Sequence, residues 1–124
     1  MAELMRNANA AHKDYGDFKG VIESNPNFVP CDLDGIVERN GHFLVMEWKR
    51  LGEEVSLGQQ RMLQALAKTP KFAVIIMVGD TDNGVNLDHY WLLDEKGKPF
   101  KKGKDFNEFK QFYTLWYDLV NDQE

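Results

Sequence analysis

Apolar and polar positions along the chain predict a succession of strands and helices. In "DLDGIVERNGHFLVMEWK", residues 32–49, two alternating runs flank Asn40-Gly41, the dipeptide that most readily supplies positive φ at both centres of a type I′ turn. With those two residues at the turn, Arg39 pairs with His42, Val37 with Leu44 and Ile36 with Val45. The same register sets Asp34 opposite Glu47 and Asp32 opposite Lys49. Alternation places Asp32, Asp34, Ile36, Val45, Glu47 and Lys49 on one face, with Leu33, Val37, Leu44, Met46 and Trp48 on the other. Apolar residues on both faces predict a central strand pair covered from both sides.

Downstream, Leu57, Met62, Leu63 and Leu66 recur at helical spacing and predict a helix over residues 56–68, closed by Thr69-Pro70. The β-branched run "KFAVIIMVG", residues 71–79, predicts a buried strand. Strand, helix and strand in that order predict a right-handed crossover with parallel pairing, and hence a mixed sheet. "GDTDNGVNLD", residues 79–88, reads as a loop; Val85 stands where a calcium loop needs glycine. It leads into a strand, "HYWLLD", at residues 89–94. Asp105 and Glu108 form a capping-box signature. Phe106, Phe109, Phe112, Tyr113, Trp116, Leu119 and Val120 then mark one face of a closing helix. That stripe is expected to be core, with a homodimer seam as its second use. Near the start, helices are expected over residues 2–12 and 17–24, ended by Asn25-Pro26-Asn27.

With 43% of its 124 residues hydrophobic, the chain can form a core of its own, and a single domain over residues 1–124 is expected. No apolar run approaches the roughly 18–20 residues of a membrane span, and "MAELMRNANAAHKDYG" lacks the apolar centre of a signal peptide. A soluble, cytoplasmic protein with no membrane partner is therefore expected. The single cysteine, Cys31, excludes an internal disulfide, and the scattered His12, His42 and His89 argue against zinc. Cys31 is expected to be a small buried hydrophobe beside the strand start. The net charge of −5 runs against phosphate binding, which depends on Lys and Arg. Five lysines nevertheless gather in "KGKPFKKGK", residues 96–104, a solvated surface loop or a phosphate-tracking patch.

The hairpin raises a chemical problem. Directly opposed side chains in an antiparallel pair have Cβ atoms roughly 4.5–5.5 Å apart, and like charges placed there destabilise the sheet. Asp34 and Glu47 at the rim of a covered sheet would repel each other and be poorly solvated. A divalent cation such as Mg²⁺, which seeks one or two carboxylates plus waters and phosphates, removes both difficulties. The bland alternative is a register displaced by one residue, with all these charges in water.

"CDLDGIVERNGHFLVMEWK" followed by "SLGQQ" resembles the PD-(D/E)XK nuclease superfamily, whose pattern is an Asp, a variable hairpin and then Glu-x-Lys. Similarity is nearest to small stand-alone members, the archaeal Holliday-junction resolvases and the virus-type VRR-NUC nucleases, and it covers residues 30–79. The resemblance implies a restriction-endonuclease-like α/β core: a mixed central β-sheet, formed by an antiparallel hairpin plus a parallel crossover strand, flanked by helices. It implies a Mg²⁺- or Mn²⁺-dependent deoxyribonuclease whose partner is DNA, branched or single-stranded. By position, Asp34 and Glu47 would be metal ligands together with the main-chain carbonyl of Trp48. Lys49 would be the catalytic lysine, and Gln59 the glutamine that opens the following helix. Pro30 stands two residues before Asp32, so Asp32 and Asp34 both stay open as the first ligand. Glu23 is the candidate for a further acid on the first helix. Gln59 also has a plain reading, since Ser56-x-x-Gln59 is itself a capping box. The rival functions are a nuclease-fold protein that binds nucleic acid or a host protein without cutting, and an assembly protein that uses the aromatic helix.

Overall fold

A computed structural model of the chain describes residues 15–122; the helix expected over residues 2–12 lies outside them. Contacts divide the chain into two compact units, Met1–Asp32 and Leu33–Glu124. In the described part of the first, the regular element is a single 3-10 turn, Gly16–Phe18. The helix expected over residues 17–24 is not formed. Gly20 adopts φ +81°, and its N–H turns to the Pro26 carbonyl at 2.8 Å. Val21 and Ile22 are exposed, so no buried apolar stripe offsets the entropy of ordering a helix. Glu23 consequently lies in a turn. Cys31 is exposed rather than buried, because it stands in irregular chain ahead of the first strand and belongs to neither apolar cluster.

The second unit is α/β, with a five-stranded mixed sheet and two helices. The strands are β1 (Gly35–Arg39), β2 (His42–Lys49), β3 (Phe72–Asp80), β4 (Asn86–Leu93) and β5 (Pro99–Gly103), adjacent in that order. β2 and β3 are parallel and the other neighbours antiparallel. Helix α1 (Leu57–Ala67) provides the crossover and α2 (Phe106–Asn121) closes the unit.

Asn40 and Gly41 take φ of +52° and +81°, and the hairpin register is the one the turn dictates, from Arg39↔His42 to Gly35↔Met46. Asn40 has a second task that its sequence context does not reveal. Its Nδ2 donates to the carbonyls of Val120 (3.0 Å) and Asn121 (3.1 Å), satisfying the open C-terminus of α2. One expectation for the hairpin needs correction: β1 is the edge of the sheet rather than part of a covered central pair. Paired on one side alone, it leaves Ile36 48% exposed.

Alternation along β2 sorts the interior into two clusters. Leu44, Ile75, Met77, Tyr90 and Leu92 pack with Phe109 of α2 on one face; Val45 and Val74 pack with Leu63 and Ala67 of α1 on the other. Glu47 and Lys49 therefore project to the α1 side, where this cluster ends. Phe109 and Val120 of α2 are buried, whereas Tyr113 and Leu119 are exposed; the helix lays a narrower line of side chains on the sheet than the aromatic stripe suggested. Its cap also deviates from a capping box: Asp105 Oδ1 accepts from Glu108 N–H at 2.9 Å, but the Glu108 carboxylate accepts from Lys104 N–H.

Residues 99–103 of the lysine-rich stretch form β5 instead of a loop. An edge strand needs no apolar alternation, and its lysines discourage pairing with another chain. Lys102 lies opposite Trp91, with Nζ 5.5 Å from the ring centroid. Among the described residues, no helix is long and apolar enough to cross a membrane.

Candidate functional site

The site begins where the β1–β2 ladder stops. Alternation of bonded and non-bonded pairs from the Arg39↔His42 closure makes Leu33/Trp48 the next bonded pair and Asp34/Glu47 a non-bonded one. The ladder ends at Gly35, so neither Asp34/Glu47 nor Asp32/Lys49 is a ladder pair. Asp34 instead bends back, and its Oδ2 accepts the Trp48 N–H at 2.8 Å. In a strand, N–H and C=O of one residue point to the same side, so the Trp48 carbonyl is directed to the β1 side as well. The Trp48 indole packs on the opposite face with the α2 cluster.

Glu47 is 2% exposed and Lys49 7%. Gln59, on the first turn of α1, joins them: its Nε2 donates to Glu47 Oε1 at 3.0 Å, and its Oε1 accepts from Lys49 Nζ at 2.6 Å. Lys49 Nζ stands 3.7 Å from the same Glu47 oxygen. Of the capping box read from Ser56-x-x-Gln59, only the Ser56 half forms. The Gln59 backbone N–H donates to Ser56 Oγ at 3.2 Å, while its amide side chain, instead of returning to the Ser56 N–H, bridges acid and amine.

The other Glu47 oxygen, Oε2, is buried with no hydrogen-bond partner. Burial, then the charge and proximity of the Asp34 carboxyl, push Glu47 up to about 7 against the opposing pull of Lys49. Two carboxyl groups thus meet with no donor between them. Such a pair is relieved by one shared proton or by a cation. Two carboxylates and a main-chain carbonyl are a hard oxygen set suited to Mg²⁺ or Mn²⁺. Among the described residues, no group of three or more His, Cys, Asp or Glu converges to hold a metal, so this set comprises two carboxylates, the carbonyl and solvent.

Beside the pair lies a cavity of about 420 Å³, at the carboxyl ends of the parallel strands β2 and β3. This is where α/β sheets commonly place their ligands. Asp34 and Lys49 line it, and so do Arg50, Glu53, Asp80 and Asp82, which the sequence reading passed over. Arg50 forms a two-pronged pair with Asp82, Nη1 to Oδ2 and Nη2 to Oδ1, both 3.0 Å. Each partner favours the charged form of the other, holding the Asp82 carboxyl low and the guanidinium high. Glu53 accepts the Arg50 N–H at 2.9 Å. The available signal was Asp80, a charge ending the buried run "FAVIIMVGD". Gly79 shapes the wall: a Cβ there would stand 2.1 Å from the Asn86 carbonyl oxygen, at the bulge where the β3–β4 register shifts.

Asp34, Glu47, Trp48, Lys49 and Gln59 are therefore gathered in one place. Asp32 precedes the ladder, at the end of the first unit. No family model, curated protein or solved structure matches the chain.

Proposed function

We propose that the protein is a metal-dependent nuclease with a restriction-endonuclease-like core, of the PD-(D/E)XK kind, which hydrolyses phosphodiester bonds of DNA. The observation that carries this reading is Glu47: a buried carboxylate with one oxygen unpartnered, crowded by Asp34 and held from behind by Gln59. Folding creates such a repulsive arrangement at a cost, and a cation-binding role supplies a reason for it.

Asp34, Glu47 and the Trp48 carbonyl would hold Mg²⁺ or Mn²⁺, which when bound supplies charge stabilisation at the scissile phosphate and acidity for the attacking water. The chain's own work is orientation and electrostatics. Lys49 brings a positive charge to the cavity wall, where it orients the water and offsets charge building on the phosphate oxygens. Gln59 keeps the ammonium and the carboxylate in fixed relation, which pre-sets the site before substrate arrives.

The test incubates supercoiled plasmid and single-stranded oligonucleotides with Mn²⁺, comparing wild type with Glu47→Ala and Lys49→Met. Cleavage by wild type and at least a hundredfold loss in each variant is expected. Equal cleavage by all three would remove the site. The acidic cavity and the net charge of −5 favour a second reading, a nuclease-fold protein that binds without cutting. Tight binding with no cleavage in any divalent metal would select it.

A further inference from the structure

The cavity presents a charge problem that the metal pair leaves unsolved. Its walls carry four carboxylates, Asp34, Glu53, Asp80 and Asp82, against two cations, Lys49 and Arg50. Lys49 is 7% exposed and already engaged by Gln59 and Glu47. Arg50 differs: its side chain and that of Asp82 are 65% and 57% exposed, although the pair is two-pronged. Both side chains are open to water, so an incoming anion can reach the guanidinium without uncovering it first. The planar fork that grips a carboxylate through two oxygens grips the two non-bridging oxygens of a phosphodiester equally well. Position supports the exchange as well. A second hollow of about 310 Å³ shares Arg50, Gly79 and Asp80 with the first and continues toward Asn86 and Asp88. Arg50 thus stands where the two hollows meet, beside the wall that carries Asp34 and Lys49.

We propose that Arg50 grips a backbone phosphate next to the one that is cut, and that Asp82 occupies its guanidinium until the phosphate displaces it. This rests on the nuclease reading and adds to it the residue that seats the strand and the carboxylate that competes with substrate. A purely structural pair, pinning the turn after β3 to the end of β2, makes a different prediction. Breaking such a clip from either side has the same consequence, whereas removing a grip and removing its competitor have opposite ones.

The test follows a fluorescein-labelled single-stranded deoxyoligonucleotide by anisotropy with Ca²⁺ in place of Mn²⁺, and its cleavage with Mn²⁺. Arg50→Gln should weaken binding about tenfold and lower the slope of log K against log salt by about 0.7, the share of one phosphate on a single strand. Asp82→Asn should tighten binding about threefold, with the gain appearing in KM rather than kcat. In the Arg50→Gln background, Asp82→Asn should add nothing, which separates release of Arg50 from relief of general repulsion. Arg50→Lys, which keeps the charge without the fork, should fall between wild type and Arg50→Gln. Thermal melts check that each variant is folded. Substitutions at 50 and 82 that move binding in the same direction, or an Asp82→Asn gain that persists without Arg50, overturn the proposal. If wild type cleaves and the variants match it, this inference alone fails; if wild type neither binds nor cleaves, the nuclease reading fails with it.

Discussion

Glu47→Gln should make the metal-free protein more stable at alkaline pH while abolishing cleavage. The carboxyl titrates at 4.5 when unperturbed and at about 7 in the fold, chiefly because it is buried and then because Asp34 crowds it. Below about pH 4.5 it is protonated in folded and unfolded chains alike and contributes nothing. Between 4.5 and about 7 the unfolded chain releases the proton that the folded one keeps, so the folded state binds more protons and stability falls as pH rises. Above about 7 both are ionised and the full penalty is present. At 1.36 kcal/mol per pH unit, that penalty is about 3 kcal/mol, or on the order of 10 °C in Tm for a chain of this size. A glutamine at position 47 keeps the shape, carries no charge, and can offer an N–H to Asp34. Urea titrations in EDTA at pH 5 and pH 8 measure the effect. Wild type should lose stability between the two relative to Glu47→Gln, and the variant should be the more stable at pH 8. Mn²⁺ at pH 8 should raise the wild-type midpoint through its binding energy and leave the variant nearly unchanged. A variant less stable than wild type at pH 8, or an unaltered difference between the two pH values, would refute the claim that Glu47 is held in a strained, cation-seeking state.

Three further outcomes follow from the same geometry. Gln59→Leu leaves Glu47 Oε1 and Lys49 Nζ without their bridge, so it should cost about 2 kcal/mol in urea unfolding and about ten- to a hundredfold in cleavage rate. Gly79→Ala drives a methyl group into the Asn86 carbonyl; a loss of about 2 kcal/mol or more is expected in thermal melts, and a variant as stable as wild type would contradict the bulge geometry. Asn40→Ala removes both the left-handed turn residue and the cap on α2, and should destabilise by about 2 kcal/mol. Hydrogen exchange should show the added opening in the last turn of α2 as well as in the hairpin.

Legibility varied along the chain for identifiable reasons. The hairpin register could be read because Asn40-Gly41 admits one tight turn, and a two-residue period then propagates the pairing without further information. Helix α1 and the parallel crossover were legible from Ser56, the leucine spacing and the β-branched run after Pro70. Strand β5 was hidden because an edge strand rich in lysine carries no apolar alternation. Residues 17–24 misled in the opposite way: helix formers were present, but nothing in the fold buries them.

For the site, local sequence determined that β2 carries Glu47 and Lys49, toward which face they point, and that Asp34 comes just before β1, since these depend only on turn chemistry and alternation. Tertiary structure decided the rest. Asp34 leaves the ladder to take the Trp48 N–H, Gln59 reaches Glu47 across the crossover, and Arg50 meets Asp82 from 32 residues away. These are encounters between groups far apart in the chain, and no periodicity encodes them. The burial that pushes Glu47 up to about 7 is likewise a property of the packed molecule, because the charge is deprived of water only once α1 has docked on the sheet.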